Sequence, residues 1–183
     1  MNLIKITTKL YPIKIDLFYA SKKNFTGKKI YKKKDCYLHK DAIPYFEKTI
    51  ELANKLNYRI KIFDAYRPVE AQWILWNHTP NESFLAHPKK GSPHSRGVAI
   101  DLTLTNKKFK ELNMGTSFDN FTKESFHGNV TIIKEVQKNR HVLLGIMSAA
   151  GWNFYKKEWW HYQLFNAKKY KLIKNNMLEQ PIM

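Results

Sequence analysis

Apolar residues recur along parts of the chain at the spacing of a helix, and these parts predict three helices. Residues 41–56 place their apolar side chains on one helical face, with Asp41 as a candidate N-cap. A second helix is predicted from Pro68, because proline is well tolerated in a first helical turn. The third prediction covers residues 128–150 and ends at Gly151, a residue type that favours the end of a helix.

Other segments alternate between apolar and polar residues with a period of two, which predicts strands. These segments are residues 58–63, 98–104 and 159–165. Residues 78–91 are polar and irregular, and they are predicted to form a long surface loop. The order of the elements favours an α+β fold, in which helices flank a central, mainly antiparallel sheet.

The bulk composition indicates one folded domain over residues 1–183. A chain of 183 residues is long enough to bury a sizeable core, and 43% of its residues are hydrophobic. This content is too high for a disordered protein. No internal repeat and no linker rich in proline, glycine or serine divides the sequence, so a single domain is expected.

The formal net charge is +17, from 32 Lys and Arg against 15 Asp and Glu, which makes nucleic acid or an anionic membrane a candidate partner. The basic residues are mostly lysines in short groups scattered between Lys5 and Lys174, without an arginine-rich helix or a nucleic-acid-binding motif. This distribution favours a solvated lysine surface, and neither partner is expected. A basic nucleic-acid-binding protein remains the alternative from a different functional class.

The sequence indicates a cytoplasmic protein. It has one cysteine, Cys36, so no intrachain disulfide can form. Charged residues interrupt residues 1–18, which therefore lack the apolar core of an export signal, and no apolar run approaches the length of a membrane span.

Three segments place metal-binding or charged groups beside predicted sheet edges: residues 64–67, 92–101 and 158–161. Two histidines, His94 and His161, together with Asp101 would make a three-ligand site. Such a site leaves the fourth position of tetrahedral zinc open for water, as in catalytic zinc centres.

The spacing within these segments restricts where each group can lie. His94 and Asp101 are seven residues apart and would point to opposite faces of one continuous strand, so His94 is expected before the strand, with Gly97 making the turn. By the same parity argument, Glu158 is expected in a loop or bulge ahead of the strand that contains His161.

Two of these segments resemble the zinc signatures of the LAS family of peptidoglycan peptidases. They read Ser92-x-His94-x-x-Gly97-x-Ala99-x-Asp101 and Glu158-Trp159-Trp160-His161. Residues 19–27, 64–72 and 114–121 are further similar to the VanX-type dipeptidases of this family, which act on D-Ala-D-Ala. The matches occur in the expected order and cover most of the chain, whereas residues 78–90 match least.

The resemblance implies one zinc ion per chain, bound by His94, Asp101 and His161, with Glu158 as the catalytic base. Zinc lowers the pKa of bound water and polarises a carbonyl, and a neighbouring carboxylate can transfer the proton of that water. Arg67 corresponds to an arginine that stabilises the oxyanion, a role that suits a permanently charged planar donor. The implied activity is hydrolysis of D-Ala-D-Ala to two D-alanines.

The resemblance also assigns three residues to the two ends of a small D,D-dipeptide: Ser92, Tyr19 and Asp119. Asp119 would be the partner of the substrate ammonium group. A D,D-carboxypeptidase or endopeptidase that uses the same zinc site on a longer peptide is the nearest alternative function.

Each of these residues also has a purely structural interpretation. Arg67 would be an ion-pair partner of Asp64, and Asp119 would be a turn residue. Ser92 would cap the turn that follows it, and Tyr19 would be a core aromatic residue. The five histidines other than His94 and His161 are interpreted as surface or hydrogen-bonded core residues.

Overall fold

The computed structural model describes residues 2–183, which form seven strands and three helices. The strands are β1 (Leu3–Ile6), β2 (Ile13–Ile15), β3 (Cys36–His39), β4 (Arg59–Asp64), β5 (Ala99–Thr105), β6 (Asn153–Phe154) and β7 (His161–Gln163). The helices are α1 (Ile43–Lys55), α2 (Val69–His78) and α3 (Lys134–Ala149). Short 3-10 turns connect several of these elements, including Phe18–Ala20 and His94–Arg96.

Five of the strands form one sheet in the order β2-β4-β5-β7-β6, and β1 pairs with β3 in a separate antiparallel ribbon. In the larger sheet only the β2–β4 pair is parallel. The predicted α+β class with a mainly antiparallel sheet is therefore confirmed. The central strand β5 is buried at all seven positions, which places the middle of the sheet inside the protein.

Helices α1 and α3 pack against each other and against the sheet. Gly151, two residues beyond the end of α3, explains how the chain turns back. Gly151 has φ +95°, a left-handed conformation that favours glycine, and a Cβ there would lie 2.9 Å from the Tyr45 ring. The next residue, Trp152, is buried and donates its indole N–H to Thr49 Oγ1 at 3.0 Å. Gly151 therefore ends the helix where the sequence predicts.

The predicted N-cap of the first helix is wrong. A 3-10 turn, Lys40–Ala42, precedes α1, and no side chain caps the helix that begins at Ile43. The backbone N–H of Asp41 instead donates to His39 Nδ1 at 3.2 Å. The 3-10 turn runs directly into α1, so Asp41 lies within the turn and not at the helix boundary.

The third helix begins at Lys134, six residues later than predicted. The side chain of Asn129 explains the difference, because its Oδ1 accepts from the backbone N–H of Thr131 at 2.8 Å and from the Thr131 hydroxyl at 2.7 Å. Local side-chain bonds of this kind compete with helical backbone bonds. The last strand is also shorter than predicted, since Trp159 and Trp160 form a turn ahead of β7.

No helix among residues 2–183 has the length and apolar character needed to span a membrane.

Candidate metal centre

Three neighbouring strands place three polar side chains in one row across the sheet. Asp64 on β4 lies opposite Asp101 on β5, and Asp101 lies opposite His161 on β7. Residues that face each other on adjacent strands project to the same side of a sheet. All three are at most 8% exposed, although polar groups are costly to bury without partners.

His94 reaches this row from outside the strand. It begins the 3-10 turn His94–Arg96, which Gly97 ends at φ +71°. This left-handed conformation favours glycine, and a Cβ on Gly97 would also lie 3.2 Å from the backbone nitrogen of His39. The turn therefore lies ahead of the strand, as the spacing of His94 and Asp101 predicts.

The three candidate ligands converge on one point. His94 Nε2 lies 3.1 Å from His161 Nδ1 and 3.2 Å from Asp101 Oδ2, while His161 Nδ1 lies 3.0 Å from Asp101 Oδ1. Two nitrogen ligands of a tetrahedral zinc ion are about 3.3 Å apart, given Zn–N bonds of about 2.0–2.1 Å. Among the described residues, these three form the group whose ligand atoms are close enough to share an ion.

The hydrogen bonds behind the two imidazoles test whether the group fits a metal. His94 Nδ1 lies 2.6 Å from the carbonyl oxygen of Ala65, and His161 Nε2 lies 3.0 Å from Gln163 Oε1. Both oxygens accept hydrogen bonds, so His94 Nδ1 and His161 Nε2 bear the hydrogens in the neutral rings. The remaining nitrogens, His94 Nε2 and His161 Nδ1, then direct their lone pairs toward each other. Metal-binding histidines are oriented in the same way. The donor set therefore fits a zinc ion.

The electrostatics of the row favour a positive charge at the same point. Burial alone would raise the pKa of Asp101, but His94 and His161 outweigh it and hold this pKa well below its usual range. Burial opposes charge on His161, yet the Asp101 carboxylate, to which the protonated ring can donate, raises its pKa. Both shifts agree with a centre that favours a cation beside the Asp101 carboxylate.

Glu158 lies next to this centre without belonging to the ligand group. It is in the turn ahead of β7, as its spacing from His161 predicts, and its Oε2 is 4.0 Å from His161 Nδ1. The side chain is 6% exposed, and burial raises its pKa to about 8, while the nearby His161 acts in the opposite direction. A carboxyl group with such a pKa can exchange a proton near neutral pH.

Arg67 follows β4 and connects two of the carboxylates. Its Nε donates to Asp64 Oδ2 at 2.8 Å, and its Nη2 lies 3.4 Å from Asp101 Oδ2. Its third contact is from Nη1 to Gln72 Oε1 at 3.0 Å, and the guanidinium lies over the Tyr19 ring at 4.8 Å. The ion pair with Asp64 is therefore present, and the side chain also lines the cavity described next.

A cavity of about 220 Å³ contains the centre, and every candidate site residue of the sequence lines it. These residues are Tyr19, Arg67, Ser92, His94, Asp101, Asp119, Glu158 and His161. The volume is small, since small-molecule pockets usually measure about 300–1,000 Å³.

Two lining residues of the cavity, Tyr19 and Asp119, lie on segments outside the sheet. The Tyr19 hydroxyl donates to Asp119 Oδ2 at 2.9 Å, and its ring packs edge-on against Phe118 and Tyr31. Tyr19 is thus both a core aromatic and a cavity residue. Asp119 has φ +60° and occupies a turn, and burial raises the pKa of its carboxyl well above the usual value.

The Ser92 hydroxyl accepts from the backbone N–H of His94 at 3.2 Å.

A buried arginine outside the cavity holds the segment that contains Asp119. Arg140 on α3 donates from Nε to the carbonyl of Met114 at 2.8 Å and from Nη1 to the carbonyl of Glu124 at 2.8 Å. One guanidinium therefore closes the base of the segment from Met114 to Glu124. Burial lowers the pKa of Arg140 to about 10.

Sequence reasoning assigned no role to four cavity residues with polar side chains: Gln72, Glu82, Tyr155 and Gln163. Gln163 follows His161 by two positions on β7, so the period of a strand places both on one face, and this signal was available. Tyr155 donates its hydroxyl to the carbonyl of Ser83 at 2.9 Å, a contact between distant segments that no local pattern reveals.

Two imidazoles and a carboxylate around one point, with a second carboxylate beside them in a cavity, define a metallopeptidase centre. Comparison with known proteins specifies the class. The model of the M15 peptidase family described as D-Ala-D-Ala dipeptidase matches residues 2–181. The chain therefore belongs to the D-Ala-D-Ala dipeptidase family.

Relatives from several bacteria agree. The chain is 40% identical to a D-alanyl-D-alanine dipeptidase of Escherichia coli K12 over 161 residues, which cover 88% of this chain and 83% of the relative. It is 34% identical to the enzyme of that name from Enterococcus faecium, covering 85% and 87% of the two chains. The protein of that name from Enterococcus faecalis is 32% identical, with 86% and 88% covered.

Proposed function

We propose that the protein hydrolyses D-Ala-D-Ala to two D-alanines in a zinc-dependent reaction. The observation that supports this most is one cavity of about 220 Å³ whose lining includes the metal ligands, Glu158, Asp119 and Tyr19. Such a cavity suits a substrate of two small residues. The dipeptidases to which the chain is similar support the same substrate.

His94, Asp101 and His161 would hold one zinc ion per chain, with Ala65 and Gln163 orienting the two imidazoles. When bound, zinc supplies Lewis acidity, which activates water and polarises the scissile carbonyl. Glu158 takes a proton from the attacking water and passes it to the leaving amine. Burial raises the pKa of Glu158, which favours the protonated form that donates to the leaving amine.

Arg67 stabilises the negative charge that develops on the carbonyl oxygen of the substrate. Its planar guanidinium is fixed by Asp64 and Gln72, so the donor is in place before the reaction and needs no reorganisation. Asp101 and Asp64 compensate its buried charge in the free protein.

Asp119, Tyr19 and Ser92 bind the ends of the dipeptide. Burial makes a charge on Asp119 unfavourable in the free protein, and a substrate ammonium group would offset this cost. Tyr19 orients the carboxylate through its hydroxyl. Recognition of a free ammonium distinguishes a dipeptide from the end of a longer chain.

Three broader expectations accompany this function. One domain over residues 1–183 is supported by a single cluster of buried apolar residues that extends from Leu3 to Ile182. A cytoplasmic location, and the absence of nucleic-acid and membrane partners, stay predictions.

The test combines metal analysis with hydrolysis of three substrates: D-Ala-D-Ala, N-acetyl-D-Ala-D-Ala and a muramyl pentapeptide. We expect one zinc ion per chain and rapid cleavage of the free dipeptide alone. Equal rates on all three would move the protein to the D,D-carboxypeptidases with the same centre. Steeply salt-dependent nucleic-acid binding, without hydrolysis, would favour the basic binding protein instead.

A further inference from the structure

Gln72 connects the proposed oxyanion donor to a wall of the cavity. This residue on α2 is 1% exposed and makes two hydrogen bonds through its side-chain amide. Its Oε1 accepts from Arg67 Nη1 at 3.0 Å, and its Nε2 donates to the carbonyl of Ala86 at 2.8 Å. A single buried side chain therefore contacts both the catalytic arginine and the loop that follows α2.

The chemistry of the two partners determines the orientation of this amide. A guanidinium only donates hydrogen bonds, and a backbone carbonyl only accepts them. The reverse orientation would place two donors together at Arg67 and two acceptors together at Ala86. A side chain at this position must accept on one side and donate on the other, which a carboxylate or a thioether of similar length does not do.

The contact with Arg67 completes the positioning of the guanidinium. Asp64 accepts from Nε at 2.8 Å, whereas the contact of Nη2 with Asp101 is longer, at 3.4 Å, and therefore weaker. The bond from Nη1 to Gln72 at 3.0 Å adds a second short contact, which restrains rotation of the plane about the Nε bond. The Nη2 edge then faces Asp101 and the cavity.

The contact with Ala86 anchors residues 79–91, the loop between α2 and the turn that contains His94. Leu85 and Ala86 line the cavity. Two other contacts of this loop, Tyr155 with Ser83 and Lys90 with Glu82, are exposed to solvent, where such contacts are weak. The bond from Gln72 to Ala86 is part-buried, so water competes with it less, and it is the strongest restraint of these three.

We propose that Gln72 is a positioning residue that fixes Arg67 and the Leu85–Ala86 wall in one geometry, so that the oxyanion donor and the substrate wall keep their relative positions during turnover. This inference rests on the proposed function, because Arg67 is assigned there.

Two variants separate the two contacts. Gln72→Glu keeps an acceptor for Arg67 but faces Ala86 without a donor, so KM for D-Ala-D-Ala should rise about 10-fold while kcat changes by less than about threefold. Gln72→Met removes both contacts, so kcat should also fall, by about 10-fold or more. Zinc content should equal that of the wild type in both.

A measurement without substrate tests the loop contact independently. Backbone amides of residues 79–91 should exchange with deuterated solvent faster in both Gln72 variants than in the wild type. Thr49→Val is the matched control, because Thr49 accepts a buried hydrogen bond from Trp152 and does not line the cavity. It should lower the melting temperature without changing kcat, KM or the exchange of residues 79–91.

The inference would be overturned if Gln72→Met kept kcat and KM within about twofold of an active wild type. It would also be overturned if both variants lost activity only as far as they lost stability, as a purely structural residue would. A wild type that does not cleave D-Ala-D-Ala would instead refute the proposed function, and unchanged exchange in residues 79–91 would then refute the anchoring as well.

Discussion

Two parts of the cavity lining are built in different ways. At the metal centre, Asp101 and His161 lie opposite each other on paired strands, and the sheet register fixes their separation. In the other part, Tyr19 belongs to a 3-10 turn and Asp119 to a turn with positive φ. The distance between Tyr19 and Asp119 depends on one hydrogen bond between them and on the bond from Arg140 to the carbonyl of Met114, which holds the Asp119 segment. The difference suggests that the sheet determines the chemistry and that the irregular segments determine the substrate.

The largest expected effect is the loss of zinc and of activity when a ligand of the metal centre is removed. His161→Ala removes one of three ligands, so the purified protein should contain no stoichiometric zinc and should have no measurable activity. Elemental analysis and a D-alanine release assay check both. His141→Ala, at an exposed histidine on α3, is the control and should behave as the wild type. Full zinc occupancy in His161→Ala would contradict the assigned ligand set.

Glu158→Gln should separate metal binding from chemistry. The amide cannot accept the proton of the attacking water, so kcat should fall by about 10²–10⁴ while zinc stays bound. Glu135→Gln, at an exposed position in the first turn of α3, serves as the control. Turnover near that of the wild type would require a different base.

Asp119→Asn should affect recognition of the substrate ammonium group and leave zinc binding unchanged. Asparagine tolerates the left-handed backbone of this position, so the fold should be retained. Loss of the charge paired with the ammonium should lower kcat/KM for D-Ala-D-Ala about 10–100-fold and should leave N-acetyl-D-Ala-D-Ala nearly unaffected. Equal losses on both substrates would remove the assignment of Asp119 to the ammonium.

Gln163→Met should lower the affinity of the centre for zinc without removing a ligand. The variant loses the acceptor that orients His161, and such outer contacts typically contribute about 10–100-fold in metal affinity. Competition with a zinc chelator measures the change. An unchanged affinity would show that β7 alone orients the imidazole.

A further expected effect is a pH dependence of stability in the zinc-free protein. The pKa of Glu158 is about 8 in the folded chain and about 4.3 in an unfolded one, so the folded state binds the proton more tightly. The stabilisation is fully present below the unfolded pKa and is lost as pH rises through about 8. Melting temperatures of the wild type should therefore fall over this range relative to those of Glu158→Gln, and parallel curves would contradict the raised pKa.

The parts of the structure that follow from the sequence have long and regular patterns. Residues 98–104 predict β5 within one residue, because seven alternating positions give a strong signal. Strand β6 has two residues and β2 has three, too few for any periodicity, and both form only by pairing with a neighbour. Residues 128–133 follow a helical pattern, but the Asn129 side chain outcompetes it.

The same limit applies to the site. His94 and Asp101 could be placed by spacing, because both lie in one short segment. The contact of Gln72 with Ala86 spans 14 positions, and that of Arg140 with Met114 spans 26. Such contacts depend on how loops cross the sheet, and this information is not present in local patterns.

The row of Asp64, Asp101 and His161 has a consequence for folding. The ligands lie on a turn and two strands that meet only when β5 and β7 have paired in register, and a slip of one residue would turn Asp101 to the opposite face. The ion can therefore bind only a chain whose sheet is already assembled. By linkage, zinc at 100 times its dissociation constant would add about 2.7 kcal/mol to the folded state. The zinc concentration would thus affect the fraction of chains that are folded, as well as the rate of hydrolysis.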